Sequence, residues 1–206
     1  MPRKVCPKCH YPEVTCLCNA LENIPLYQTK VKLHVLQHPS EVTNKKNTIK
    51  LVSLLIPQIQ VYIGETERDF KKLRQGIESG SETFILLYPS EKALSGQEFL
   101  ASAGEPAESF ALNLILIDGT WRKAKKILLS NPWLQDLTHL TLASDHQSQY
   151  GIRQTSVEGA LSSIEAIAYC LEQLEGTEPE PLLALLGAFK QSFTKLMPSN
   201  VKKRYS

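Results

Sequence analysis

The chain has 206 residues, of which 42% are hydrophobic and 21% are charged, as in an ordinary soluble globular protein. Its length allows one good core with room for a small additional segment. No apolar run approaches the roughly 18–20 residues that span a bilayer, and the opening residues MPRKVCPKCH lack the apolar core of a signal peptide. We therefore expect a cytoplasmic protein with reduced thiols and no membrane partner.

Charge is distributed unevenly along the chain. Residues 1–50 carry a net charge of +5 and residues 187–206 carry another +5, whereas residues 51–186 carry −8. Basic ends around an acidic body suit a polyanionic partner such as nucleic acid. Solvated charged termini explain the same pattern equally well on this evidence alone.

The first predicted element is a cluster of four cysteines, CPKCHYPEVTCLC, which contains Cys6, Cys9, Cys16 and Cys18. Two residues separate the first pair and one residue separates the second, so four thiolates can close on one tetrahedral Zn²⁺. An iron–sulfur cluster is the alternative, since four thiolates serve either centre. The run Cys6-x-x-Cys9-His10 also matches the c-type haem attachment pattern, but the second cysteine pair argues against it. We predict a zinc-binding segment over residues 1–25.

The following residues alternate between strand-like and helix-like segments. Short apolar or β-branched runs predict strands at 32–37, 59–63, 83–88, 112–117 and 139–143. Helices are predicted at 45–56, 66–79, 121–130, 159–175 and 182–197. This alternation is typical of a three-layer α/β fold with a mainly parallel sheet. Ligands of such sheets bind beyond the carboxyl ends of the strands, where the loops QHPSE, YPSE and DGTW are expected.

The loop Asp118-Gly119-Thr120-Trp121 joins the apolar run LILI to a basic helix. A carboxylate that emerges from a buried strand can take a proton from a substrate. Gly119 would allow an unusual backbone angle and the close approach of a ligand, and the Trp121 indole could pack on a flat ring or a cation. Each residue also has a structural explanation, since Asp-Gly is a common turn, threonine is a common helix cap and tryptophan is a common core residue.

The helix that follows this loop carries four basic residues in its first five positions after the tryptophan. Ala124, Ile127 and Leu128 fall on one face, while Arg122, Lys125 and Lys126 fall on another. A basic face that begins at the candidate site could hold phosphates. An ordinary solvated face explains the pattern as well.

Taken together, these blocks resemble the DTW-domain family of tRNA-uridine aminocarboxypropyltransferases. The naming motif Asp-x-Thr-Trp is present at 118–121, and the cysteine cluster is similar to the N-terminal metal site of the family. Further similar blocks, in the same order, are LQHPSE (36–41) with Asn47-Thr48, LLYPSE (86–91), YGIRQ (150–154) and LSSIEAIA (161–168). Two positions depart from the family pattern. Ser163 replaces threonine, which preserves a hydroxyl, and Ile49 replaces glycine, which leaves the local turn open.

The resemblance implies a catalytic α/β domain over residues 26–206, related to the knotted SPOUT methyltransferases, that binds S-adenosylmethionine in loops near the knot. It implies transfer of the 3-amino-3-carboxypropyl group of S-adenosylmethionine to N3 of a uridine in tRNA, with methylthioadenosine as the by-product. The competing interpretations are a SAM-dependent RNA methyltransferase and a non-catalytic, zinc-bearing RNA-binding module. Neither the modified uridine nor the oligomeric state is indicated.

Residue roles follow from the resemblance and from the side-chain chemistry. Asp118 is the candidate general base for the N3 proton, and Trp121 is the candidate catalytic neighbour that stacks on uracil or shapes the pocket. Arg153 could pair with the methionine carboxylate or with a phosphate. The expected cofactor contacts are Leu87, Tyr88, Pro89, Ser90, Asp118, Gly119, Thr120, Ile152, Arg153, Ser162 and Ser163. The expected RNA contacts are Lys45, Lys46, Lys50, Arg122, Lys123, Lys126, Lys202, Lys203 and Arg204.

Two of these blocks also have structural explanations. Ser162-x-x-Glu165 has the spacing of a capping box at the start of a helix. His38 is either a core or turn histidine with a backbone hydrogen bond, or a residue that faces the cleft.

Overall fold

A computed structural model describes residues 4–103, 112–142 and 161–195. Its strands are β1 (Lys32–Gln37), β2 (Gln60–Ile63), β3 (Thr83–Leu87), β4 (Leu112–Asp118) and β5 (Thr138–Leu140). All four pairings are parallel, and the order across the sheet is β2-β1-β4-β3-β5. The predicted strands and the predicted parallel α/β sheet are confirmed, with β5 ending earlier than expected.

The helices, in chain order, are α1 (Cys18–Leu21), α2 (Pro39–Val42), α3 (Ile49–Leu55), α4 (Lys71–Glu78), α5 (Gly96–Ala103), α6 (Trp121–Leu129), α7 (Ser163–Glu175) and α8 (Glu180–Lys195). Short 3₁₀ turns occupy Glu13–Thr15 and Pro132–Leu134. The predicted helices at 121–130, 159–175 and 182–197 correspond to α6, α7 and α8. Residues 159–160 and 196–197 lie outside the described residues.

Two predicted helices begin later than expected, because a polar side chain turns the chain ahead of each. The Asn47 side-chain oxygen accepts the backbone N–H of Ile49 at 2.9 Å, which starts α3 at Ile49. Asp69 Oδ2 accepts the backbone N–H groups of Glu65 at 2.9 Å and Thr66 at 2.8 Å, which forms a turn before α4. Side-chain hydrogen bonds of this kind compete with helix geometry.

Helix α5 was not predicted. Phe99 is its one large apolar side chain that is buried, so the period that identifies an amphipathic helix is missing from the sequence. The Glu98 carboxylate accepts the backbone N–H of Ser95 at 2.8 Å, which supports the start of this helix.

The sheet separates two groups of buried side chains. One face of the sheet, with Val35, Leu87 and Leu114, packs against α3, α5, α7 and α8. The other face, with Leu36 and Ile115, packs against α4 and α6. Helices thus cover both faces, and the carboxyl ends of the strands remain as the edge at which loops gather.

The cysteine-rich segment packs against α8. Cys9, Tyr11 and Leu17 are buried in the same cluster as the α8 residues, and the rings of Tyr11 and Phe189 lie edge to face with centroids 5.5 Å apart. The division of the chain into residues 1–25 and 26–206 stays a prediction.

Two further expectations concern the chain as a whole. Among the described residues, no helix has both the length and the apolar character needed to cross a membrane. The SPOUT-type knot is not shown, since the connection from β5 to α7 includes residues 143–160, which lie outside the described residues.

Candidate active site

The candidate site lies where the sheet order reverses. Strands β1 and β4 are neighbours in the sheet. From β1 the chain continues to β2, on the side away from β4, and from β4 it continues to β5, on the side away from β1. The carboxyl ends of β1 and β4 therefore form a switch point, the place at which open α/β sheets bind ligands. Gln37, the last residue of β1, pairs with Asp118, the last residue of β4.

Three uncharged donors surround the Asp118 carboxylate. Gln37 Nε2 donates to Oδ2 at 3.0 Å, Asn47 Nδ2 donates to the same oxygen at 2.6 Å, and Ser163 Oγ donates to Oδ1 at 2.6 Å. The Asp118 side chain is almost fully buried, with 2% of its surface exposed. Since an ionised carboxylate has about four acceptor positions, one position on Oδ1 remains beside Ser163.

A cavity of about 380 Å³, here called the cofactor cavity, opens beside this carboxylate. Five of the predicted cofactor contacts line it: Leu87, Tyr88, Pro89, Gly119 and Ser163. The remaining lining residues are Leu116, Ile117, Trp121, Ala124, Leu140, Thr141, Leu142, Leu161 and Ala166. The carboxyl ends of β3, β4 and β5 and the start of α7 thus form one mostly apolar enclosure.

Trp121 lies at the cofactor cavity with 43% of its surface exposed. Its ring meets that of Tyr88 edge to face, with centroids 6.4 Å apart. The explanation of Trp121 as a core residue is therefore wrong, and the indole is accessible to a ligand. Burial raises the pKa of Tyr88, so its hydroxyl stays protonated at neutral pH and can donate a hydrogen bond.

Gly119 and Thr120 differ in part from expectation. Gly119 is not among the described glycines with a positive φ, so the unusual backbone angle is not seen. A Cβ at this position would lie 3.2 Å from Lys123 Cβ and 3.6 Å from His38 Cβ. Close packing, and not the backbone angle, therefore disfavours a larger residue at position 119. Thr120 occupies the N-cap position of α6, but its hydroxyl makes no capping hydrogen bond.

Two predicted cofactor serines have protein partners. His139 Nε2 bonds to the Leu134 carbonyl at 3.0 Å and therefore carries the proton, so Nδ1 accepts the Ser90 hydroxyl at 2.8 Å. The backbone N–H of Ser162 and its hydroxyl bond to the Glu165 carboxylate at 2.8 and 2.6 Å. The capping-box interpretation of Ser162 and Glu165 is confirmed. Ile152 and Arg153 lie outside the described residues.

The predicted RNA contacts fall into four groups. Lys123 bonds to the Glu41 carboxylate at 3.1 Å, and Lys126 forms an ion pair with Glu65. Lys50 donates to the His10 carbonyl and lies 4.3 Å from the centre of the Tyr11 ring. Lys45 and Arg122 are exposed, and Lys46 is half-buried. Lys202, Lys203 and Arg204 lie outside the described residues.

His38 caps a helix. Its Nδ1 accepts the backbone N–H of Ser40 at 3.1 Å, so Nε2 carries the proton that it shares with Glu65 Oε1 at 2.9 Å. The turn interpretation of His38 is confirmed. The ion pair with Lys126, followed by the contacts with His38, lowers the pKa of Glu65.

Two Asp118 donors, Gln37 and Asn47, were not among the predicted site residues, although both lie in blocks that resemble the family. A signal for Gln37 is present, because it is the polar residue that ends the apolar strand KLHVLQ and so points to the carboxyl edge. For Asn47 the signal is the Asn47-Thr48 block of the resemblance, whereas its bond to Asp118 depends on how α3 packs.

Ile49 also resolves the open question about the turn at this position. It is the first residue of α3, is buried, and is not among the described residues with a positive φ. The chain therefore needs no glycine there.

The four cysteines of the N-terminal segment meet as a metal-binding group. Cys6 Sγ and Cys18 Sγ are 3.5 Å apart, Cys9 Sγ and Cys16 Sγ are 3.7 Å apart, and all four sulfurs lie within 4.8 Å of one another. Tetrahedral zinc with Zn–S bonds of about 2.3 Å requires sulfurs about 3.8 Å apart, so the donor set fits. Backbone N–H groups of Cys9 and Lys8 lower the pKa of Cys6 to about 6, whereas hydrogen bonds with the Cys16 and Cys6 thiols raise the pKa of Cys18 to about 12.

Comparisons with known proteins agree with these features. The sequence model of the DTW domain matches residues 3–197. The chain is 36% identical over 183 residues to tRNA-uridine aminocarboxypropyltransferase 2 of Drosophila melanogaster, covering 86% of this chain and 69% of that protein. It is 32% identical over 178 residues to the protein of the same name in Mus musculus, covering 84% of this chain but only 57% of that protein. With tRNA-uridine aminocarboxypropyltransferase A of Arabidopsis thaliana, identity is 26% and coverage is 98% and 88%. No solved structure matches the chain.

Proposed function

The chain belongs to the DTW domain family, and we propose that it is a tRNA-uridine aminocarboxypropyltransferase that uses S-adenosylmethionine. The relatives from fly, mouse and Arabidopsis bear this activity in their names. The observation that carries the proposal is the hydrogen bond of 2.6 Å between Ser163 and Asp118 at the wall of the cofactor cavity. Through this bond the Asp118 carboxylate is connected to the cavity by a single side chain, the hydroxyl of Ser163.

The cofactor cavity suits a small molecule with a flat apolar part. Its volume of about 380 Å³ lies within the range of 300–1,000 Å³ that is usual for ligand sites. We propose that Leu87, Tyr88 and Pro89 contact the adenosine part of S-adenosylmethionine, together with Gly119. Ser90, Thr120, Ile152, Arg153 and Ser162 remain proposed contacts, and the hydrogen bonds of Ser90 and Ser162 indicate that these two act by holding the loop and the start of α7.

The reaction needs a base because N3 of uridine carries a proton at neutral pH. S-adenosylmethionine, when bound, supplies the 3-amino-3-carboxypropyl group on a sulfonium centre that leaves readily. A bond forms between N3 and the γ-carbon of the methionine part, the bond from that carbon to sulfur breaks, and its electron pair stays on sulfur in methylthioadenosine. The proton from N3 has to go to the protein. General base catalysis of this kind contributes about 10²–10⁴ to the rate.

We propose that this proton reaches Asp118 through Ser163. Asp118 is 2% exposed, whereas Ser163 is half-buried and lines the cofactor cavity. The Ser163 hydroxyl already donates to Asp118 Oδ1, so its own lone pairs are available to the N3 proton. Ser163 would pass its proton to Asp118 as it receives the one from N3. Gln37 and Asn47, both bound to Oδ2, would keep Oδ1 turned to Ser163.

Trp121 and the metal-binding segment complete the proposal. The exposed Trp121 indole could stack on the uracil ring, because every base offers a flat face to an aromatic side chain. We propose zinc as the metal held by Cys6, Cys9, Cys16 and Cys18. We further propose a SPOUT-like fold, which is supported by the cavity at the carboxyl ends of β3, β4 and β5 in a parallel sheet.

Product analysis tests the proposal. Purified protein is incubated with S-adenosylmethionine and unmodified tRNA, and the digested nucleosides and the small-molecule by-product are identified by mass spectrometry. We expect aminocarboxypropyluridine together with methylthioadenosine. A methylated nucleoside together with S-adenosylhomocysteine would overturn the proposal in favour of methyl transfer.

A further inference from the structure

A second and larger cavity lies where the metal-binding segment meets α3 and α8. Its volume is about 810 Å³, and we call it the N-terminal cavity. Its lining residues are Lys4, Tyr11, Pro12, Glu13, Val14, Thr15, Val42, Thr43, Asn44, Lys45, Asn47, Lys50 and Phe193. We propose that it binds a single-stranded stretch of the RNA substrate next to the modified uridine, an inference that rests on the proposed function.

Charge is the first reason. The lining contains three lysines, at 4, 45 and 50, against the single acid Glu13, although residues 51–186 of the chain carry a net charge of −8. Lys4 and Lys45 are exposed, and neither ammonium group has a salt bridge or a hydrogen bond to another described residue. Two unpaired ammonium groups in the lining of one cavity suit the phosphates of an RNA backbone.

The apolar part of the cavity is the second reason. Val14 and Val42 are 69% and 49% exposed at its rim, and the aromatic residues Tyr11 and Phe193 lie in its lining. A groove that combines lysines with exposed apolar side chains binds unpaired nucleotides, since phosphates meet the lysines and bases meet the apolar surface. Base-paired RNA would present mainly its sugar–phosphate backbone, so its bases would make no contact with Val14 and Val42.

The third reason is the link to the active site. Asn47 lines the N-terminal cavity and also donates to Asp118 Oδ2 at 2.6 Å. One side chain thus belongs both to the lining of this cavity and to the hydrogen bonds of the candidate base, which connects the cavity to the candidate active site. Lys50 donates a hydrogen bond to the carbonyl of His10, which follows Cys9. This bond holds the cysteine segment against α3, and both contribute to the lining of the cavity.

The test is the double variant Lys4→Glu/Lys45→Glu. A matched control is Lys71→Glu/Lys72→Glu, which makes the same change of charge at two exposed positions of α4 on the other side of the sheet. Binding of a fluorescent, unmodified tRNA transcript is measured over a range of salt concentrations, and binding of S-adenosylmethionine is measured by calorimetry. Lys45→Glu alone is included because it leaves the metal-binding segment unchanged.

We expect the double variant to bind tRNA at least about tenfold more weakly, with S-adenosylmethionine affinity unchanged. The slope of log affinity against log salt should fall by about 1.4, since each single-strand phosphate contact contributes about 0.7, and by about half as much in Lys45→Glu. Unchanged tRNA binding, or an equal loss in the control pair, would overturn the inference. Absence of aminocarboxypropyluridine from the wild-type reaction would instead refute the proposed function, so the two failures are distinguishable.

Discussion

Ser163 and Asp118 are joined by a hydrogen bond of 2.6 Å although 45 positions separate them in the chain. The bond connects the start of α7 to the end of β4 and lies at the wall of the cofactor cavity. Because Asp118 is buried and Ser163 lines the cavity, the pair is our proposed route by which a proton leaves a bound substrate. The first two predictions separate the roles of its two members.

Asp118→Asn should abolish most of the activity without unfolding the protein. The amide keeps the size of the carboxylate, can accept from Gln37 and Asn47 through its oxygen, and can donate to the Ser163 hydroxyl, but it cannot take a proton. We expect the single-turnover rate to fall by about 10²–10⁴, with tRNA and S-adenosylmethionine affinities retained. A rate within a few fold of the wild type would show that Asp118 only holds the loop.

Ser163→Ala and Ser163→Thr should differ from each other. Threonine keeps the hydroxyl that donates to Asp118 Oδ1, so we expect activity close to that of the wild type. Alanine removes the hydroxyl, and the single-turnover rate should fall by about tenfold or more. If both variants were equally active, Asp118 would have to accept the proton without Ser163.

Asn47→Ala should lower both stability and activity. Its side chain donates to Asp118 Oδ2 and accepts the backbone N–H of Ile49. Loss of these bonds leaves buried groups unpaired, at a cost of about 1–3 kcal/mol in the free energy of unfolding, measurable by urea denaturation.

Asn44→Ala is the matched control for this prediction. Asn44 donates to Glu41 at 2.7 Å and accepts the backbone N–H of Lys46 at 3.0 Å, in the same loop but with no bond to Asp118. We expect a loss of stability with the single-turnover rate at saturating tRNA retained, since Asn44 lines the N-terminal cavity and can affect RNA binding but makes no bond to Asp118. Equal losses of activity in the two variants would contradict a specific link between Asn47 and Asp118.

Purified protein should contain about one metal atom per chain, measured by elemental analysis. Removal of the metal should loosen the packing of the cysteine segment on α8, where Tyr11 meets Phe189, and so weaken tRNA binding while S-adenosylmethionine binding is retained. Cys16→Ala should lose the metal. Cys170→Ala should keep it, because Cys170 is buried in α7 away from the cluster.

The absence of both zinc and iron from the purified protein would refute a metal site. If the protein instead contained iron and absorbed visible light, the site would be assigned as an iron–sulfur cluster, since zinc and such clusters can both be held by four thiolates.

The parts of the fold that follow from short-range patterns were predictable. Each strand is an apolar run, and Asp118 was identified as a strand-end acid because it directly follows LILI. The cysteine cluster was identified because all four ligands lie within thirteen residues. Helix α5 was missed because its burial rests on Phe99 and not on a repeated apolar face.

The environment of Asp118 was not predictable, because it depends on the order of the strands. Gln37 and Asn47 are 81 and 71 positions away in the chain, and only the pairing of β1 with β4 brings Gln37 beside the acid. The same holds for the basic helix. Lys123 and Lys126 belong to a basic run that suits a solvated helix, yet their partners Glu41 and Glu65 come from the segments that follow β1 and β2.

The most direct test of the central claim is to follow two differently labelled samples of S-adenosylmethionine. One sample carries the label in the carboxyl group of its methionine part, and the other carries it in the methyl group. Each is incubated with the wild-type protein and with Asp118→Asn on unmodified tRNA, and the label in the tRNA is counted. Aminocarboxypropyl transfer predicts incorporation of the carboxyl label alone, and its near-complete loss in Asp118→Asn. Incorporation of the methyl label, or of neither label by the wild-type protein, would contradict it.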